Sequence, residues 1–146
     1  MKQAIRLFAA LALFGAGYLV GTRGETPAAS AAQGADQRVF EMRTYTAHEG
    51  RNEDVIARFR NHTAYLFQKH GMQNIAYFVP TDTPLSRNTL VYVIAHPSRE
   101  AAQRSWAAFR ADSTWVRART ASEANGPIVQ RTQSMFLKAT DFSPIQ

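Results

Sequence analysis

From Val39 the chain alternates apolar and polar residues as far as Thr46, and it ends on Thr and Tyr side chains, the pattern of a strand. Gly50 closes that run. Asn52 is placed to cap a helix whose apolar residues Val55, Ile56, Phe59, Leu66 and Phe67 recur at helical spacing, and Gly71 ends it just after His70. Asn74 to Val79 predicts a second strand. Pro80 to Asn88, with its Thr, Asp, Pro and Ser, reads as a loop. Thr89 to His96 is the most strand-like stretch. Ser98 then offers an N-cap, Glu100 suits the positive end of a helix, and Ala102, Trp106 and Phe109 make that helix's apolar stripe. Asp112 or Ser113 caps a further short helix carrying Trp115 and Val116, which Asn125-Gly126-Pro127 stops. Ile128 to Lys138 is the last strand, and Thr140 to Gln146 is a tail.

The order βαββαβ is the ferredoxin-like arrangement of the α+β class, with helices over one face of a four-stranded sheet. In the third strand Leu90, Tyr92 and Ile94 point one way while Val91, Val93 and Ala95 point the other, so both faces are apolar. No element of the chain remains to cover the second face. A second copy of the chain is the natural cover, which predicts a homodimer.

Residues 1–37 follow a different pattern. Lys2 and Arg6 precede Leu7 to Val20, an uncharged apolar run of fourteen residues. A basic start and an apolar core make a secretory signal, and the run is short of the roughly 20 residues of a comfortable span. Residues 1–24 are therefore read as a signal peptide or short signal anchor, with membrane attachment through 4–22 in the second case. Residues 25–37, rich in Pro, Ala, Ser and Gln, read as a linker, and 38–146 as the folded domain. The expected location is secreted or periplasmic, or anchored at the membrane.

Composition narrows the chemistry. The 146 residues suit one domain, and 45% hydrophobic with 19% charged residues is globular rather than disordered. With no cysteine there is no disulfide scaffold, thiolate zinc site, iron–sulfur cluster or cysteine nucleophile. The net charge of +6 comes from arginines interleaved with Glu and Asp rather than a basic stripe, so nucleic-acid binding is not expected. His48, His62, His70 and His96 have no metal-ligand spacing, and no metal site is expected; phosphate-binding glycine loops and Gly-x-Ser-x-Gly are absent.

Two groups of residues carry what chemistry there is. On the first helix, with Phe59 at zero and roughly 100° per residue, Thr63 falls near +40° and His62 near −60°, so both interrupt the inward stripe. An inward His62 would be a haem ligand, an acid/base or a hydrogen-bonded core-edge side chain. On the first strand Glu41, Arg43 and Tyr45 share a face by the period of two. They would line a polar pocket or form an ion pair in the dimer interface. Tyr77, Tyr92 and Trp106 wall an aromatic cavity or simply fill the core.

The stretch Phe40-Glu41-Met42-Arg43-Thr44-Tyr45-Thr46 resembles the Glu-Leu-Arg-Thr-Tyr strand that opens NIPSNAP domains, with Met42 where the family usually has Leu. The resemblance continues through Phe67 to Met72, Ala95 to Ala102, Ser105 to Asp112 and Trp115, and ends with Phe136 to Pro144. It implies a dimeric α/β barrel, two ferredoxin-like units packed sheet against sheet. That superfamily holds small monooxygenases, haem-degrading enzymes and isomerases beside members without known activity, and NIPSNAP domains lack an agreed catalytic motif. The leader excludes the mitochondrial roles of eukaryotic relatives. Two functions follow as expectations. The first is a homodimeric module that binds a small apolar ligand or a partner, with no reaction and no cofactor assigned. The second is a cofactor-independent or haem-linked monooxygenase or isomerase, supported by fold analogy alone.

Overall fold

The computed structural model describes residues 38–146. The sequence calls for four strands, and four form: β1 Val39–Ala47, β2 Gln73–Phe78, β3 Thr89–His96 and β4 Val129–Leu137. They make one antiparallel sheet in the order β2-β3-β1-β4. Together with the helices this is the expected ferredoxin-like α+β fold.

The first helical rod has three parts: α1 Asn52–Arg58, a π-helical stretch Phe59–Thr63 and α2 Ala64–Lys69. Asn52 does not cap it. Arg51 takes the cap position without a side-chain capping bond, and Asn52 is buried as the first helical residue. Gly71, at φ +76°, ends the rod in the left-handed conformation that favours glycine, as the sequence predicts. The second layer continues with α3 Arg99–Ala111 and α4 Ser113–Ser122. Ser98 caps α3 by accepting from the Ala101 amide at 3.2 Å, and Asp112 caps α4 by accepting from Thr114 at 2.7 Å.

The core lies between helices and sheet and is aromatic. Tyr92, fully buried at the centre of β3, has the rings of Phe59, Tyr45, Tyr77 and Phe67 at 5.0, 5.4, 5.7 and 5.8 Å. Phe67 in turn meets Trp106 at 5.3 Å and Phe109 at 5.0 Å, so α2 and α3 are joined to the sheet through one ring cluster. Such pairs contribute roughly 0.5–1.5 kcal/mol each beyond the area they bury.

The opposite face of the sheet is as apolar as β3 predicts. Val91 and Val93 are only half-buried there, and Phe78, Met135 and Leu137 are 56, 52 and 40% exposed. The chain does supply a partial cover, contrary to expectation. Its C-terminal tail returns to this face, where Arg38 donates to the Gln146 carbonyl oxygen and to Gln73 Oε1, the latter at 2.8 Å. A cleft of about 400 Å³ remains between Ile145, Leu137 and the sheet residues Phe40 and Val93.

Candidate functional site

Strand register assembles the site. Ser134, Arg43, Tyr92 and Tyr77 pair in succession across all four strands, so they form one row on the helix-facing side. Glu41 lies two residues before Arg43 on the same face, and Trp106 reaches down from α3. The structure brings Glu41, Arg43, Tyr45, Tyr77, Tyr92 and Trp106 together within the subunit, on the helix-facing side rather than on the open sheet face.

Glu41 is the hub. It is 2% exposed, yet its carboxylate is surrounded by donors. Oε2 accepts from Trp106 Nε1 at 2.7 Å and meets His96 Nε2 at 3.1 Å, while Oε1 accepts from Ser134 Oγ at 2.7 Å and Arg43 Nη1 at 3.0 Å. Burial pushes such a carboxyl up, but hydrogen bonds from His96, Ser134 and Trp106 and the charge of Arg43 outweigh it and hold Glu41 at about 2. Arg43 lies with its guanidinium over the indole of Trp106, 4.3 Å from the ring centre, and 5.8 Å from that of Tyr45. Burial works against its charge, but Tyr92, Tyr45 and Glu41 together raise its pKa above the ordinary arginine value. Burial pushes the Tyr77 phenol up to about 12 and Tyr92 well above its usual value, so both are neutral donors near neutral pH. Tyr77 donates to Asn74 Oδ1 at 2.6 Å, and Asn74 in turn donates to the Ala64 carbonyl, tying β2 to α2.

Two buried donors of the row have no partner among the described residues: Arg43 Nε and the Tyr92 hydroxyl. An apolar cleft of about 200 Å³ opens at the Tyr77 end, between Ile56, Phe59, Ala64 and Leu90. Among the described residues, no group of three His, Asp or Glu side chains could hold a metal ion.

His62 does not join the site. It is exposed, on a polar groove between the first helical rod and α4 with Arg51, Asp54 and Ser122. The π stretch is the cause. A turn hydrogen-bonded i→i+5 winds less per residue than an α turn, as the Ala64 amide bonding back to Phe59 shows, and this rotates His62 off the inward face. Thr63 takes the inward position instead. Its hydroxyl donates to the Arg58 carbonyl at 3.2 Å, so this polar group is satisfied by backbone.

Two members were absent from the sequence-derived set. His96 shares the parity of Leu90, Tyr92 and Ile94, which is enough to place it on the helix-facing side. Ser134 enters only through the β1–β4 register, which no local signal specifies.

The NIPSNAP family model matches residues 40–144. A NIPSNAP-like domain protein from Burkholderia xenovorans superposes with a TM-score of 0.65 at 21% identity, over 75% of this chain and 90% of that one. A NIPSNAP family protein of unknown function from Agrobacterium tumefaciens does so with 0.65 at 19%, over 76% and 96%. SnoaB, a cofactor-independent oxygenase from Streptomyces nogalater, is more distant, with 0.51 at 16% over 74% and 98%. No curated protein matches the chain. At these identities the likenesses concern the fold alone, while the family model spans most of the described domain. The chain belongs to the NIPSNAP family.

Proposed function

We propose that this chain is an exported, homodimeric module that binds a small ligand and performs no reaction on it. The observation that supports this most is the state of Glu41. A general base is effective when its pKa lies near the working pH, and a carboxylate held at about 2 by its four partners is far too weak. The other groups of the row do not replace it. Tyr77 and Tyr92 stay protonated, and His96 is bonded to Glu41. His62, the residue whose position would have argued for acid/base or haem chemistry, faces solvent. Trp106 and Phe109 fill the interior against Phe67, and the remaining apolar cleft beside Tyr77 suits a small apolar group.

The exposed Phe78, Met135 and Leu137 support pairing of two copies through the open sheet face. The basic start and apolar run of residues 1–24 support export. The test is native mass spectrometry of the full chain purified from its own source. The expected result is a dimer carrying a small molecule that survives unchanged on incubation with the protein in air. Conversion of that molecule to an oxidised or isomerised product overturns the reading in favour of an enzyme.

A further inference from the structure

We infer that the unpaired edge of Arg43, with the Tyr92 hydroxyl beside it, is a seat for a carboxylate, and that the ligand of this module is a small, flat monocarboxylic acid. The inference rests on the binding reading above, places the ligand's charged end at the β4 side of the polar row, away from the cleft beside Tyr77, and adds the chemical class of the ligand.

A guanidinium offers its N–H groups along separate edges, and the edge made by Nε and Nη2 matches the two oxygens of a carboxylate. In Arg43 only Nη1 is engaged, by Glu41 at 3.0 Å. Nε is buried with no partner, and no bond is made by Nη2. The free edge is therefore the one shaped for bidentate recognition. The Tyr92 hydroxyl, on the residue directly across the β1–β3 pairing, is a further buried donor, with only the Tyr45 phenol near enough to share it. Buried donors are otherwise paired as a rule, so two unpaired ones on facing residues mark the place of a missing acceptor.

Glu41 does not pre-empt this seat. Its Oε2 is bonded by His96 and Trp106, and its Oε1 accepts from Ser134 as well as from Arg43, so Arg43 is only one of the four groups that satisfy it. What Glu41 does is fix the guanidinium in position, with Trp106 beneath it at 4.3 Å. Access is from β4. That strand is exposed along most of its length, Thr132 and Ser134 on the same face are exposed, and the Arg43 side chain paired with Ser134 is itself 18% exposed. The neighbouring Tyr45 and Trp106 rings favour a flat acid over a hydrated one. With Glu41 close by, a monoanion fits better than a phosphate dianion.

The experiment uses the full chain, arginine side-chain Nε–H resonances, and benzoate and acetate as probes, with benzamide as the uncharged control. Benzoate should saturate a downfield shift of the Arg43 Nε–H signal, assigned by its loss in Arg43→Lys. Tyr92→Phe, which removes only an unpartnered hydroxyl, should keep the melting temperature and weaken benzoate about tenfold, the size of one hydrogen bond to a charged group. If neither acid moves the Arg43 signal, if benzamide binds as well as benzoate, or if Tyr92→Phe binds benzoate unchanged, the inference is overturned. A neutral molecule found on the purified protein and left unchanged by it would sink this inference while leaving the binding reading intact. A bound acid converted to product would do the reverse.

Discussion

Replacing Glu41 by Gln changes one atom in size but the sign of a site's bookkeeping. The wild-type carboxylate accepts at both oxygens, two contacts on each. With the amide oxygen in the place of Oε2, His96 and Trp106 keep their partner. The amide nitrogen then faces Arg43 Nη1, donor against donor, and a largely buried guanidinium loses its counter-charge. Breaking a buried pair from one side costs about 3–5 kcal/mol, and Glu41→Gln should show that loss in urea unfolding near neutral pH. The pH dependence tests the cause. The folded value of Glu41 is about 2 against an ordinary 4.5, so the unfolded chain takes up the proton first as pH falls. The stabilisation is whole above about pH 4.5 and disappears progressively toward about pH 2. At about 1.4 kcal/mol for each tenfold in proton affinity, it amounts to about 3 kcal/mol. The gap between wild type and Glu41→Gln should therefore close by that amount on acidification, measured as urea midpoints across the range. A gap that stays constant with pH would refute the ionised, four-donor state of Glu41, and with it the reason for excluding it as a base.

Val93→Asp places a charge on the open sheet face among Phe78, Met135 and Leu137; on the proposed pairing, sedimentation should show a dimer for the wild type and a monomer for the variant, with the far-ultraviolet dichroism retained. Ser98→Ala removes the cap of α3 and should lower stability by about 1 kcal/mol in urea unfolding. His62→Ala, at an exposed position, should change stability by no more than about 0.5 kcal/mol and leave ligand binding unaltered. A chain beginning at Arg38 should melt cooperatively at the temperature of the full chain, because the whole aromatic core lies within 40–128.

The fold was legible because each of its elements carries its own period and punctuation. β3 was read to the residue, Thr89–His96, from continuous β-branched and aromatic character, and Gly71 and Ser98 marked the helix boundaries they mark in the structure. The miss at Asn52 is one of capping: the chain enters the helix a residue earlier than the Asn side chain suggests, and Asn52 turns inward instead. His62 failed for a different reason. A wheel drawn at a constant angle assumes an uninterrupted α-helix, and the π stretch between Phe59 and Thr63 shifts the phase at His62. The return of the C-terminal tail rests on Arg38 meeting Gln146, a contact between the two ends of the domain that no pattern along the chain announces.

The site divides along the same line. Glu41, Arg43 and Tyr45 follow from strand parity alone, and Tyr92 from the same parity on β3, so their sharing of one face was predictable. What those residues do for each other was not, because it depends on register. Only the pairing of Ser134 with Arg43 and of Arg43 with Tyr92 shows that Glu41 is saturated while Arg43 and Tyr92 are not. That asymmetry carries the functional argument. A carboxylate satisfied on every side is a brace, holding an arginine still at a place where water is scarce. An arginine held still, with one edge spent and one edge open, recognises an acceptor instead of abstracting a proton. On the proposed reading, the arrangement divides the donors so that the carboxylate is fully satisfied while the arginine keeps one edge open.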